Sequence, residues 1–100
     1  MIPESFKCAG HTIKVELCDE LPDNRYGAFY DAPGVIRIAK TLLVEDFGKV
    51  QLTEQQMMNT FCHELVHCFQ FFYGDKWSET QAQVYANFMC EFIESTDKPF

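Results

Sequence analysis

Residues 53–79 read TEQQMMNTFCHELVHCFQFFYGDKWSE, and the punctuation of this stretch organises the second half of the chain. Thr53 followed three positions later by Gln56 is a capping box, in which each side chain satisfies the other residue's backbone N–H. Glu54 adds an acid at the positive end of the helix that follows. That helix is predicted over 54–73 and stops at Gly74, which suits a left-handed C-terminal cap. Ser78 with Gln81 forms a second box and opens a second predicted helix over 79–94. On the first helix Met58, Phe61, Leu65, Phe69 and Phe72 share one side, read as core together with the neighbouring aromatics Phe71 and Tyr73. On the second, a wide apolar stripe runs from Ala82 and Tyr85 through Ala86, Phe88 and Met89 to Phe92 and Ile93.

Upstream the period changes. Residues 12–18 alternate apolar and polar, as a half-buried strand does. Leu21-Pro22-Asp23-Asn24 is turn chemistry, and residues 25–31 form a second strand around Tyr26, Phe29 and Tyr30. Asp31-Ala32-Pro33-Gly34 turns the chain into a third strand, Val35-Ile36-Arg37-Ile38-Ala39. Leu42-Leu43-Val44 reads as a short helical turn. The expected fold is α+β: a three-stranded antiparallel meander followed by two helices.

One hundred residues make a single domain, 1–100. A hydrophobic content of 47%, with ten Phe and four Tyr, excludes intrinsic disorder. Fifteen acidic residues against eight basic leave a net charge of −7, which repels phosphate backbones and disfavours a nucleic-acid partner. The apolar runs are too short to span a membrane. Met1-Ile2-Pro3-Glu4-Ser5 carries neither the basic nor the apolar region of a secretory leader, so a cytoplasmic protein is expected. Five cysteines, an odd number without a CxxC pair, point to reduced side chains acting as small hydrophobes.

Within the first helix lies His63-Glu64-Leu65-Val66-His67. Residues i and i+4 stand one turn apart on one face, so two imidazoles at this spacing can converge on one Zn²⁺. The intervening Glu64 points to the adjacent side, within reach of a water on the metal. Both histidines fall nearly opposite the apolar side, with Thr60, Gln70 and Phe71 around them. A catalytic zinc needs three protein ligands and an open position. Glu79, at the start of the second helix and twelve residues beyond His67, is the expected third ligand. The short connection Gly74-Asp75-Lys76-Trp77 returns that helix along the first, with Trp77 as a packing plug. Asp75 and His11 are the rival third ligands.

His63-Glu64-Leu65-Val66-His67 followed by Glu79 resembles the gluzincin pattern of zinc peptidases, with HExxH on one helix and a Glu on the next. It is similar in particular to very small members, the minigluzincins and the ImmA/IrrE-like and SprT-like peptidases, often encoded by phages or mobile elements. The preceding strands and the segment Val84-Tyr85-Ala86-Asn87-Phe88 resemble the same layout, over residues 11–94. Where several family members carry Ala and Asp after the ligand Glu, this chain has Thr80 and Gln83. The resemblance implies Zn²⁺ held by His63, His67 and Glu79, with Glu64 as general base in peptide-bond hydrolysis. An extended peptide substrate is expected to add to strand 35–39, read as an edge facing the metal unless residues 1–10 or 97–100 cover it. The alternative is a zinc-binding or interaction domain that keeps the site without turnover.

Overall fold

The computed structural model describes residues 2–96. Six strands precede two helices: β1 Ser5–Cys8, β2 His11–Cys18, β3 Gly27–Tyr30, β4 Val35–Ala39, β5 Thr41–Val44, β6 Gly48–Gln51, α1 Glu54–Phe72 and α2 Glu79–Ser95. The class is α+β, but the main sheet is mixed. Its order is β1-β2-β4-β3, with β2 and β4 parallel and the outer pairs antiparallel. After β2 the chain passes through a 3-10 turn at Pro22–Asn24, skips one strand position and lays down β3. The hairpin then returns β4 into the gap. Burial explains the order: in β4 Val35, Ile36, Ile38 and Ala39 are all buried, and only Arg37 is exposed. A strand apolar on both faces belongs in the middle of a sheet.

Two expectations fail on this point. The strands do not form a three-stranded meander, and strand 35–39 is not an edge, because β2 and β3 occupy both of its sides. The edge next to the helices is β3, which pairs with no strand other than β4 among the described residues. Residues 97–100, the other proposed cover for an edge, lie outside the described residues.

Two further hairpins complete the strand set. β1 joins β2 through Ala9 and Gly10, whose φ values of 50° and 81° make the doubly left-handed turn that matches strand twist. β5 and β6 form a separate two-stranded sheet where a helical turn was expected. Asp46 and Gly48, at φ 70° and 73°, make the reversal, and the Asn24 carboxamide grips Leu43 through both backbone groups, at 2.9 and 3.0 Å. A helix over 41–51 would lose those long-range partners.

α1 lies on the sheet and α2 packs on α1. The core joins Ile13, Ile36 and Ile38 of the sheet to Phe61, Cys62 and Cys68 of α1 and to Ala86 and Cys90 of α2. Ala82, Ala86 and Cys90 recur every four residues, and their small side chains let the helices approach closely. The cysteines are free, and Cys62, Cys68 and Cys90 are buried as small hydrophobes. Both helices carry more apolar surface than these contacts use. Phe69 and Phe71 on α1 and Tyr73 at its C-terminal cap remain substantially exposed, contrary to their reading as core, and so do Tyr85, Phe88, Phe92 and Ile93 of the α2 stripe.

Candidate metal centre

Local capping sets the two helices in register. The Thr53–Gln56 box forms in both directions, Gln56 N–H to Thr53 Oγ1 at 3.1 Å and Thr53 N–H to Gln56 Oε1 at 2.8 Å. The second box is only half made. Ser78 Oγ accepts from Gln81 N–H, while the Gln81 carboxamide turns instead to Gln70, whose Nε2 donates to Gln81 Oε1 at 2.6 Å. That exchange ties the start of α2 to the last turns of α1, beside the histidines.

His63, His67 and Glu79 come together: one ligand atom from each lies within 4.8 Å of the other two. The Nε2 atoms of both imidazoles lie 3.0 Å from Glu79 Oε1. Asp75 instead accepts from the Lys76 N–H, and His11 stacks on Phe72 at 4.7 Å. Neither rival ligand belongs to the cluster.

The other ring nitrogens are committed. Gln70 is fully buried, and its Nε2 donates to the Ser78 carbonyl at 3.2 Å, an acceptor that cannot be exchanged. Its Oε1 therefore faces His67 Nδ1 at 2.7 Å, which places the imidazole proton there. Gln83 Oε1 lies 3.1 Å from His63 Nδ1, and its Nε2 donates to Asn87 Oδ1 at 2.9 Å. With its Nδ1 protonated, His67 turns its Nε2 lone pair toward the Glu79 carboxylate, and the His63 Nε2 points to the same place. A cation between these groups would satisfy the His67 lone pair and the carboxylate together. Tetrahedral zinc holds N and O ligands roughly 3.3–3.5 Å apart, so the observed 3.0 Å separations fit with a few tenths of an ångström of opening.

Trp77 does more than plug a gap. Its ring stacks on His67, centroids 3.9 Å apart and planes 7° from parallel, and its Nε1–H donates to Glu79 Oε2 at 3.2 Å. One side chain thus holds both His67 and the Glu79 carboxylate. Desolvation acts upward on the Glu79 carboxyl, but the facing imidazoles and indole prevail and hold it below its ordinary range.

His63, His67, Trp77, Glu79 and Gln83 line a cavity of about 640 Å³, together with Arg25, Gly27, Phe29, Thr60 and Glu64. Glu64 is 8% exposed. Burial pushes its carboxyl up to about 7, opposed by the His63 and Arg25 charges and reinforced by Glu79. An acid with that affinity is matched to taking and returning protons near neutrality. Gly27 lets the β3 edge come this close. A Cβ there would stand 2.5 Å from Thr60 Cγ2, 3.1 Å from the Arg37 carbonyl and 3.4 Å from Glu64 Cγ. Gly27→Ala is therefore expected to cost about 1–3 kcal/mol by overpacking. Urea unfolding measures this, and Thr60→Ser, which removes the clashing methyl, should recover most of the loss.

The HExxH spacing identified His63, Glu64 and His67 as a group, and the return of α2 brought Glu79 to them. Gln70, Gln83, Gly27 and Arg25 were not assigned these roles from sequence. Gln70 and Gln83 each lie within a turn of a ligand on its own helix, a readable signal; Gly27 and Arg25 meet the centre only through sheet packing. Comparison with models of known families, with characterised protein sequences and with solved structures finds no match to this chain.

Proposed function

We propose that this chain is a zinc-dependent peptidase of gluzincin type, with His63, His67 and Glu79 as metal ligands and Glu64 as general base. The observation that carries the reading is the convergence of three atoms able to ligate a metal with a nearly buried carboxylic acid on one cavity. A zinc ion bound there supplies Lewis-acid polarisation and lowers the pKa of water. Glu64 takes a proton from the attacking water on its carboxylate and returns it to the leaving amine. Gln70, Gln83 and Trp77 hold the ligands in place, so little reorganisation is needed when the metal binds.

The corrected topology moves the expected substrate path from strand 35–39 to β3. Ala39 N–H donates to the Tyr26 carbonyl at 2.8 Å. By the alternation of an antiparallel ladder, residues 26, 28 and 30 then face β4, and the backbone groups of Gly27 and Phe29 point off the edge. Both residues line the cavity. An extended peptide hydrogen-bonded there runs past Glu64. Free cysteines suit a reducing compartment, in keeping with a cytoplasmic role. No described helix is long and apolar enough to cross a membrane.

The test is zinc content together with hydrolysis of a mixed peptide pool. About one zinc per chain is expected, with cleavage abolished by a chelator and restored by zinc. A protein that stays metal-free after zinc supplementation ends the reading. Bound zinc without any turnover favours the non-catalytic alternative.

A further inference from the structure

The two helices present an apolar face that no other described residues cover, on the side away from the candidate metal centre. Leu65, Val66 and Phe69 of α1 and Tyr85, Phe88 and Met89 of α2 line a groove of about 410 Å³ that contains no charged side chain. Stacked aromatic pairs extend it at both ends: Phe69 with Tyr73, centroids 5.5 Å apart, and Phe88 with Phe92, 6.4 Å apart. On α2, Val84, Tyr85, Phe88 and Phe92 fill an arc of roughly 100° beside the Ala82–Ala86 arc that meets α1.

We propose that this face is the interface of a two-fold symmetric homodimer, each copy laying its α2 against the α1–α2 groove of the other. Area is the first support. Phe69, Tyr73, Tyr85, Phe88 and Phe92 are 48–68% exposed, and at ~150–250 Å² per aromatic side chain they offer on the order of 600 Å². A standard interface buries about 800 Å² per partner, which the flanking Val84 and Leu65 bring within reach. Exposed apolar patches on monomers are typically no larger than a few hundred Å². Charge is the second. The chain carries −7 overall, yet none of that charge lines the groove. A partner recognised through charge would find nothing to pair with there. An uncharged apolar face is complementary to itself, which is what a two-fold interface requires. The geometry also leaves the centre open: Leu65 and Phe69 lie roughly 160° around α1 from His63 and His67.

Sedimentation equilibrium on the full chain tests this independently of any activity. The wild type should have twice the chain mass of 11.6 kDa at tens of micromolar. Phe88→Asp, at the most exposed of the five rings, should be monomeric with unchanged far-UV circular dichroism and unchanged zinc content. Should that variant fold poorly, Phe92→Lys, one turn along the same face, should be a folded monomer. A monomeric wild type at that concentration overturns the proposal. So does an open-ended oligomer, or a folded variant that still dimerises.

Discussion

Replacing His67 by alanine is expected to abolish zinc binding and to destabilise the fold; replacing His63 should abolish zinc binding at little cost to stability. The difference follows from burial. His67 is 2% exposed, accepts the Trp77 ring on its face and holds Gln70 Oε1 through Nδ1. Without it, Gln70 Oε1 keeps only a long contact from the Ser78 N–H at 3.4 Å. A buried polar group left short of partners costs about 1–3 kcal/mol, and the empty imidazole site adds to that. His63 is more accessible and its partner Gln83 keeps its bonds to Asn59 and Asn87. Removing either Nε2 leaves a single imidazole beside the carboxylate, a weaker pair for zinc than the two imidazoles that remain when Glu79 is lost. Elemental analysis after zinc supplementation and denaturant unfolding read the two effects separately. Glu79→Ala should weaken binding but leave the histidine pair with residual affinity. A His67→Ala protein that retains one equivalent of zinc would exclude the centre described here.

Glu64→Gln is expected to lose turnover while keeping zinc and fold. General-base catalysis contributes roughly 10²–10⁴-fold, and a carboxamide of the same shape cannot accept the proton. Stability moves the other way. Burial already raises the Glu64 pKa, so the charged form is penalised in place, and a neutral side chain removes that penalty. Stripped of metal, the variant should therefore be at least as stable as the metal-free wild type above neutral pH. Activity on a cleaved peptide, zinc stoichiometry and urea midpoints, measured on one preparation, separate catalysis from folding. Undiminished hydrolysis by this variant would remove Glu64 from the chemistry.

Much of this protein is local and was therefore readable. Thr53, Gln56, Gly74 and Ser78 act through neighbours within four residues, and α1 and α2 begin and end within a residue of where those signals place them. The HExxH pair is local in the same sense, since helical pitch alone puts His63 and His67 on one face. The β4 strand, Val35–Ala39, is likewise marked by its own composition and bounding turn. What composition cannot state is which strands a strand lies between. β4 is central because its buried side chains need cover from both neighbours, a demand met only when the whole sheet forms.

The same limit explains the remaining differences. Residues 41–51 have helix-compatible leucines, but Asn24 and the Lys40–Leu52 backbone bond at 2.8 Å draw them into a hairpin. Phe69 reads as core by periodicity and, like Phe88 of the α2 stripe, stands outside, because α2 meets α1 along its small Ala and Cys side chains. The identity and spacing of the candidate ligands thus lay in the sequence by itself. Tertiary structure alone decided that β3 forms the rim of the cavity, that Gly27 brings it to Glu64, and that Trp77 and Gln70 orient His67. Contacts between residues far apart in the chain depend on which apolar surfaces cover one another, and that choice is made only when all of them compete for the same core.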